Sequence, residues 1–412
     1  MSEPDRIRVF FTAPDIDPQA TGESFGAFRW AEAMSHEVDL TVFAYQRANR
    51  PPLQESLPDA RVLTVPRPTF FQRWPRFEAM VKPHYPIYMR AVRKALCQHP
   101  GEFDLAHQLM PPAARYPIAL RGAGLPYVVG PLAGTLETPA AFREEGQNAA
   151  WFIRARALDR WRFRNDPWLR AGYAEADLVL GVAPYMREML SVIPLRRFEL
   201  LMQLGVVDLA PEIERQPRTG DVRLLHIGRG VRTKGLRDTI RAMGQLRDVL
   251  PDMTLTSAGT GEEIEICRRE AETLGIADRV RFVGLIPRAE VETLYAEADI
   301  FVFPSYREPA GNVVYEAMRW GLPVIAADCG GPASMVDERT GIQVAVTKPG
   351  LYADDIAAAI RALAGDPARR RAMGAAARTK LEREAFWPAK AKILAGLYAE
   401  VLEGRRAAKE TR

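Results

Sequence analysis

The stretch FPSYREPAGNVVYEAMRWGLPVIAADCGG, residues 303–331, places two glutamates, Glu308 and Glu316, eight positions apart. Glu308 lies in a turn-forming segment, and Glu316 lies about one turn into a helix that Asn312 is expected to cap. Gly311 allows a ligand to approach the backbone closely. The apolar run LPVIAA then predicts a buried strand. The stretch therefore predicts a loop carboxylate and a helix N-terminus beside a parallel sheet.

Strands and helices alternate along the whole chain, which is typical of parallel α/β sheets. The predicted N-terminal strands are residues 6–13, 38–44, 61–65, 104–107, 126–130 and 177–182. A segment rich in Pro, Gly and charge at 203–221 reads as a linker. The predicted strands after it are residues 222–228, 254–259, 279–284, 299–304 and 322–327. We predict an α/β fold with two Rossmann-like, doubly wound parallel-sheet domains that face a central cleft, where such sheets bind ligands.

Composition agrees with a two-domain cytoplasmic protein. The chain has 412 residues, and single cores rarely grow past about 250–300 residues. No apolar stretch approaches the roughly 20 residues that span a bilayer, and the N-terminus runs straight into a strand, so we expect no signal peptide. Cys97, Cys267 and Cys329 form no C-x-x-C pair or metal set, which favours a reduced cytosolic chain. The first helix is expected to begin at Ser24 as its N-cap.

The stretch HIGRGVRTKGL, residues 226–236, predicts an anion site. Arg229 and Lys234 lie just past a strand, in a loop that opens a helix, where free N–H groups and the helix dipole attract anions. Two solvated surface charges are the alternative. The carboxylates of Glu308 and Glu316 cannot neutralise phosphate, but they accept hydrogen bonds from hydroxyls. An anion site flanked by two carboxylates therefore suggests a ligand with phosphates in its middle and sugars at both ends, a nucleotide-sugar.

In their joint order, these segments closely resemble the retaining glycosyltransferases of family 4, which have the GT-B fold. The resemblance covers nearly the whole chain and is carried by E-x-x-x-x-x-x-x-E with EAMRWGLPVIAADCGG, and by GRGVRTKGL, SAGTGEE, RVRFVG and FWPAKAKILAGLY. It implies an acceptor domain at residues 1–205 and a nucleotide-sugar domain at 206–385. The closing helix, within residues 386–412, would cross back to the N-terminal domain.

The resemblance also implies roles for matched residues. Arg229 and Lys234 would hold the donor diphosphate and stabilise the leaving nucleotide, the role that a metal has elsewhere. Glu316 would bind the ribose hydroxyls, and Glu308 would bind the hydroxyls of the donor sugar. The remaining donor contacts would come from Gly228, Gly311, Asn312, Val313, Gly22 and Glu23. The donor is expected to be a UDP- or GDP-sugar, with no metal and no other cofactor.

His107, at the end of the strand DLAH, matches a family histidine near the reacting sugar. Many members have His-x-His there, whereas this chain has Leu109 at the second place; a structural histidine is the alternative. The DID sequence at Asp15 to Asp17 imitates the Asp-x-Asp metal motif of another glycosyltransferase fold. No carboxylate nucleophile stands out, so the family's front-face mechanism is expected, in which the leaving phosphate helps to deprotonate the acceptor.

Two basic, aromatic segments of the N-terminal half are candidates for acceptor contact. Residues 67–94 hold seven Lys and Arg against Glu78, and residues 151–170 hold six Arg against two acids. One helix face of the second segment would present Trp151, Ala155, Leu158 and Trp161. Such a face resembles a membrane-surface helix, but helices packed on their own core are an equal alternative. No nucleic-acid motif is present. The loop at 130–142 is expected to face the cleft and touch the acceptor.

The sequence thus predicts a retaining glycosyltransferase that moves a hexose-type sugar to a lipid, lipid-linked or polysaccharide acceptor. It is expected to be cytoplasmic and peripheral on the inner face of the plasma membrane. Two alternatives stay open: a nucleotide-sugar epimerase of the same fold, and a non-catalytic module that binds nucleotide-sugar or lipid.

Overall fold

The computed structural model describes residues 6–20, 22–73, 78, 82–134, 136–143, 145, 157–215 and 221–410. Within them, two parallel sheets lie one after the other along the chain. The strands of the first sheet are β1 (Arg8–Thr12), β2 (Asp39–Gln46), β3 (Arg61–Pro66), β4 (Leu105–Gln108), β5 (Tyr127–Leu132), β6 (Leu178–Gly181) and β7 (Phe198–Leu200). Their spatial order is β3-β2-β1-β4-β5-β6-β7.

The second sheet repeats this winding. Its strands are β8 (Arg223–Ile227), β9 (Thr254–Ala258), β10 (Val280–Gly284), β11 (Ile300–Phe303), β12 (Val324–Ala327) and β13 (Gly341–Val344), in the order β10-β9-β8-β11-β12-β13. In both sheets the order reverses beside the first strand, so each has a crevice at the carboxyl ends of its strands. This confirms the predicted fold. The short strands β7 and β13 were not predicted.

Helices cover both faces of each sheet. Those of the N-terminal domain are α1 (Glu23–Ser35), α2 (Leu53–Ser56), α3 (Tyr85–Gln98), α4 (Ala157–Asn165), α5 (Pro167–Ala174) and α6 (Pro184–Met189). Those that follow are α7 (Leu236–Gln245), α8 (Glu263–Thr273), α9 (Arg288–Glu297), α10 (Asn312–Arg319), α11 (Gly330–Met335), α12 (Pro349–Ala364), α13 (Pro367–Glu384) and α14 (Trp387–Glu410). The predicted N-cap Ser24 is wrong: Gly22, at φ 69°, precedes α1, and Ser24 lies inside the helix.

The C-terminal helix α14 returns to the N-terminal domain, as predicted. Trp387, Leu394 and Tyr398 are buried in the same hydrophobic cluster as strands β1, β2 and β4. The rings of Trp30 and Trp387 meet edge to face at 5.5 Å. Because this contact buries two large aromatic side chains, it ties the chain end firmly to α1.

Hydrogen bonds hold the segment around residues 202–206, where the chain passes between the domains, against α1 and α14. Val206 N donates to Ala385 O at 2.9 Å, and the indole N–H of Trp30 donates to Gln203 O at 2.9 Å. The buried ammonium of Lys390 donates to Met202 O, and burial lowers its pKa to about 7. The domain boundary between residues 205 and 206 stays a prediction; it falls between β7 and β8.

Candidate functional site

The predicted anion loop lies at the carboxyl end of β8. Arg229 is exposed there, whereas Lys234 is buried at the end of a 3-10 turn, Arg232–Lys234, that leads into α7. The ammonium of Lys234 forms an ion pair with Glu308 and lies 5.6 Å from the ring centroid of Phe303. Two of the predicted site residues, 74 positions apart, are therefore in direct contact.

A second turn supports the anion loop from behind. Gly259 has φ 133° and lies very close to Gly228. A Cβ on Gly259 would be only 1.9 Å from Gly228 O, so this position requires glycine. Gly261 meets Gly230 in the same way, with only 2.2 Å between a Cβ and Gly230 O. The glycines of the GTGEE turn thus allow the two loops to pack closely.

The loop carrying Glu308 ends at the N-terminus of α10. Gly311, at φ 91°, is the N-cap, and no side chain caps the helix. The prediction that Asn312 caps it is wrong: Asn312 is the first helical residue, and its Nδ2 donates to Glu316 Oε1 at 2.7 Å. The N–H groups of Asn312 and Val313 have no intrahelical acceptor at this position, so they are available to an anion.

The carboxylate of Glu316 already accepts three hydrogen bonds within the protein. Besides Asn312, it accepts from Arg288 Nη1 at 3.1 Å and from the Tyr295 hydroxyl at 3.1 Å. Only 12% of its side chain is exposed, whereas 62% of Arg288 is exposed. A carboxylate has about four acceptor positions, so one remains, and movement of Arg288 would release a second.

The glycine pair after β12 allows the Glu308 loop to pack closely on α11. Gly331 N donates to Glu308 O at 2.9 Å. Gly330 has φ 65°, and a Cβ on it would lie 2.2 Å from Glu308 O. This explains Gly330 and Gly331 in the opening stretch: they hold the loop against the sheet edge.

Positive charge concentrates on this edge. Burial lowers the pKa of Arg307, and the nearby Arg229 lowers it further. From the N-terminal domain, Tyr185 approaches: burial raises the pKa of its hydroxyl well above the usual value, and the charge of Glu308 adds to the shift. The Tyr185 hydroxyl accepts from Gly134 N at 3.2 Å. The site therefore lies in the cleft between the domains.

His107 lies in the N-terminal core and not on the cleft surface. Its Nε2–H donates to Gly130 O at 2.6 Å, and its Nδ1 accepts from the Tyr398 hydroxyl at 2.5 Å. Burial lowers its pKa to about 4, so the ring is neutral at pH 7. Both nitrogens are occupied, so this geometry favours the structural alternative over contact with the reacting sugar. Gly22 and Glu23 lie exposed at the start of α1.

The DID acids form ion pairs. Asp15 accepts from Arg67 at 2.6 Å and from Arg47 at 3.2 Å, and Asp17 accepts from Arg47 and Arg50 at 3.0 Å. No group of three or more His, Cys, Asp and Glu that could hold a metal occurs among the described residues. Metal independence stays a prediction.

The two basic segments differ from the prediction in part. In residues 67–94, Arg67 is paired, and Tyr85 and Tyr88 are buried in the core. In residues 151–170, Phe163 is buried, but the side chains exposed are Leu158 at 57%, Trp161 at 58% and Trp168 at 47%. Residues 74–77 of the first segment, and residues 151–156 of the second, which include the predicted face residues Trp151 and Ala155, lie outside the described residues. No helix in the described part of the chain is long and apolar enough to cross a membrane.

Sequence reasoning missed several site residues. Arg288 and Tyr295 lie on α9, and their contact with Glu316 joins residues 28 and 21 positions apart. Tyr306 and Arg307 directly precede Glu308 and were not selected. A local signal existed for these two, because they belong to the quoted stretch, whereas α9 offered none.

Comparison with known proteins shows similarity over part of the chain. Residues 211–380 match the family model described as glycosyl transferases group 1. A glycogen synthase of Mycobacterium tuberculosis is 30% identical over 267 residues, covering 64% of this chain and 62% of its own length. A GDP-mannose-dependent alpha-(1-6)-phosphatidylinositol monomannoside mannosyltransferase of Mycolicibacterium smegmatis is 36% identical over 192 residues, covering 45% of this chain and 48% of its own.

A solved structure agrees over almost the full chain. Anabaena HepE in complex with UDP and glucose has a TM-score of 0.60 at 17% identity, covering 96% of this chain and 100% of that one. This likeness shows the fold alone. The protein therefore has the two-domain GT-B fold. Residues 211–380 are thus similar to the glycosyl transferases group 1 family, and the chain spans between about half and two thirds of the length of the curated relatives just described.

Proposed function

We propose that the protein is a retaining glycosyltransferase that moves a hexose-type sugar from a UDP- or GDP-sugar to a lipid, lipid-linked or polysaccharide acceptor. One observation carries the proposal: Lys234 pairs with Glu308, the Glu308 loop leads into the N-terminus of α10, and a second carboxylate, Glu316, lies on that helix. The cation and N–H groups suit a diphosphate, and the carboxylates suit sugar hydroxyls on either side.

Each residue then has a task in the reaction. The bond between the anomeric carbon and the phosphate oxygen breaks, and the phosphate keeps the electron pair. Lys234 and Arg229 stabilise that charge with the N–H groups of α10. Before donor binding, Glu308 neutralises Lys234; with donor bound, the phosphate takes the ammonium and the sugar hydroxyls take Glu308. The acceptor oxygen bonds to the same face of the sugar, and its proton passes to the leaving phosphate.

The nucleotide half of the donor has a place beside Glu316. Its ribose hydroxyls would use the free acceptor position and displace the exposed Arg288. Support for a nucleotide donor comes from relatives: one is named as GDP-mannose-dependent, and one neighbour was solved with UDP and glucose.

A lipid acceptor at the cytosolic membrane face is supported by the exposed face of α4. Leu158 and Trp161 lie three residues apart on it, flanked by exposed Arg160 and Arg164. On the neighbouring helix α5, the guanidinium groups of Arg93 and Arg121 lie 5.3 and 5.4 Å from the ring centroid of Trp168. Exposed aromatic and arginine side chains together are typical of membrane-surface contacts. One relative is also named for a phosphatidylinositol mannoside substrate.

The test is incubation of purified protein with a panel of UDP- and GDP-sugars and a membrane extract, with products followed by mass spectrometry. Transfer to a lipid or glycan of the extract supports the proposal. Conversion of donor without acceptor would identify an epimerase, and binding without turnover would identify a binding module; either result contradicts it.

A further inference from the structure

A segment of the N-terminal domain crosses the cleft and docks on the C-terminal domain. It comprises residues 136–143 and residue 145, and we name it the strap. Phe142 is fully buried within the hydrophobic cluster of the C-terminal sheet. Its ring lies 4.3 Å from the ring of Tyr306 and 5.7 Å from that of Tyr352. The loop predicted to touch an acceptor therefore packs on the donor domain.

A buried arginine is the second anchor of the strap. The guanidinium of Arg232 lies 5.4 Å from the ring of Phe142 and 5.5 Å from that of Tyr306. It donates to Glu145 Oε2 at 3.0 Å through Nε, and to both carboxylate oxygens of Asp238. Burial alone would lower the pKa of Arg232, but Asp238 and Glu145 raise it above its usual value. Arg232 is therefore charged and held from both domains.

Three further contacts complete the attachment. Arg307 Nε donates to Leu136 O at 3.1 Å. Leu136 packs on Gly330, where a Cβ would lie 2.9 Å from Leu136 Cδ1. Glu145 also accepts from Arg241 Nη1 at 3.0 Å.

These contacts hold the two segments that carry Lys234 and Glu308, the oppositely charged pair of the site. Arg232 shares its 3-10 turn with Lys234. Tyr306 and Arg307 directly precede Glu308. The strap thus holds, from the other domain, both sides of the Lys234–Glu308 ion pair. Glu316 and α10, in contrast, have no anchor in the strap among the contacts of the described residues.

We propose that the strap positions the catalytic half of the donor site, so that Phe142 and Glu145 are positioning residues for sugar transfer but not for nucleotide binding. This inference rests on the proposed function. Its physical basis is that small displacements of Lys234 or Glu308 weaken stabilisation of the transition state, whereas the ribose contacts of Glu316 stay in place.

The first test is Phe142→Ala, with Phe142→Leu as the conservative variant. Phe142→Ala is expected to lower kcat of transfer at least tenfold and to leave the Kd for UDP or GDP, measured by calorimetry, within about twofold. Phe142→Leu should recover most of kcat. Phe103→Ala, a buried phenylalanine of the N-terminal core outside the candidate acceptor segments, controls for lost stability and should keep kcat. Equal kcat for the two alanine variants would overturn the proposal.

A second, isosteric pair keeps the test valid if Phe142→Ala does not fold. Glu145→Gln removes the charge that holds Arg232 and Arg241, and kcat should fall several-fold with an unchanged nucleotide Kd. Glu137→Gln is the matched control: Glu137 lies in the same strap but pairs with Arg143 and Arg160 of its own domain. Glu145→Gln with wild-type kcat contradicts the strap alone. Wild-type protein that transfers no sugar contradicts the proposed function itself, and with it the role of the strap.

Discussion

At the scale of single residues, Glu316 shows how a binding group is kept ready without a ligand. Arg288, Tyr295 and Asn312 fix its carboxylate, and the Arg288 side chain, which comes from another helix and is 62% exposed, can leave easily. A hydroxyl pair that replaces one guanidinium N–H therefore meets a carboxylate whose orientation is already set, which reduces the entropy cost of binding.

Glu316→Ala should weaken nucleotide binding at least about tenfold, since a hydrogen bond to a charged group contributes about 1.5–3 kcal/mol. Arg288→Ala, the matched variant, removes the competitor and should leave affinity unchanged or higher. Calorimetry with UDP and GDP measures both. Wild-type affinity in Glu316→Ala would rule out the ribose assignment.

Lys234→Ala should affect turnover more than donor binding, because charge on the leaving phosphate is greatest in the transition state. We expect kcat to fall roughly a hundredfold with a smaller change in donor Kd. Lys348→Ala, an exposed lysine of the same domain, should keep wild-type kcat. Steady-state kinetics with and without chelator also tests metal independence: near-normal turnover of Lys234→Ala, or loss of wild-type activity to chelator with rescue by Mg²⁺, speaks against this site.

At the scale of elements, α4 is the exposed candidate for membrane contact. Each Arg near an anionic surface contributes about 1 kcal/mol, so Arg160→Ser with Arg164→Ser should weaken vesicle binding roughly thirtyfold at low salt. Leu158→Ser with Trp161→Ser should weaken it at any salt concentration, since burial of apolar surface is not screened. Val249→Ser, at a site 59% exposed in the other domain, is the control. Wild-type protein that ignores anionic vesicles in flotation assays would favour a soluble glycan acceptor.

The buried contact between His107 of β4 and Tyr398 of α14 makes the free energy of unfolding depend on pH. Burial lowers the pKa of His107 from 6.5 to about 4, so below pH 6.5 the unfolded chain binds a proton that the folded chain does not. Stability from this group is complete above pH 6.5 and falls until about pH 4. His107→Gln should therefore cost about 2 kcal/mol less at pH 5 than at pH 7.5. Urea denaturation measures the difference, and an equal cost at both pH values would show that His107 is not held neutral.

The alternation of elements was predictable because strands buried on both faces give continuous apolar runs, such as RVFFT in β1 and IFVF in β11. The half-polar strand GIQV of β13 and the three residues of β7 lack that signal. Helix starts were misplaced at Ser24 and Asn312, since glycine in a positive-φ conformation precedes each helix and replaces a side-chain cap.

Of the predicted site residues, Lys234 and Glu308 are in direct contact, and Glu316 lies on the helix that follows Glu308; their roles stay predictions. The partners of Arg232 could not be predicted in the same way. Glu145 lies 87 residues from it, and nothing local in VRTK marks one arginine as buried between aromatic rings. Long-range pairs of this kind depend on how the domains pack, which hydrophobic periodicity does not encode.

At the scale of the whole molecule, two connections of different kinds hold the domains together. The linker packs on α14, where Trp387 and Lys390 are buried, whereas the strap docks on the C-terminal domain beside Arg232 and Tyr306. Together the two connections constrain how the domains are oriented and how Lys234 and Glu308 are placed.

The central claim, that this cleft binds a nucleotide-sugar across Glu316, α10 and Lys234, is tested most directly by a crystal structure of the wild-type protein with a UDP- or GDP-sugar. We predict ribose hydroxyls within hydrogen-bond distance of Glu316 in place of Arg288. The diphosphate should lie between the N–H groups of Asn312 and Val313 and the side chains of Arg229 and Lys234, with the sugar against Glu308. A nucleotide bound elsewhere, or bound here with Glu316 and Lys234 out of contact, would contradict the account.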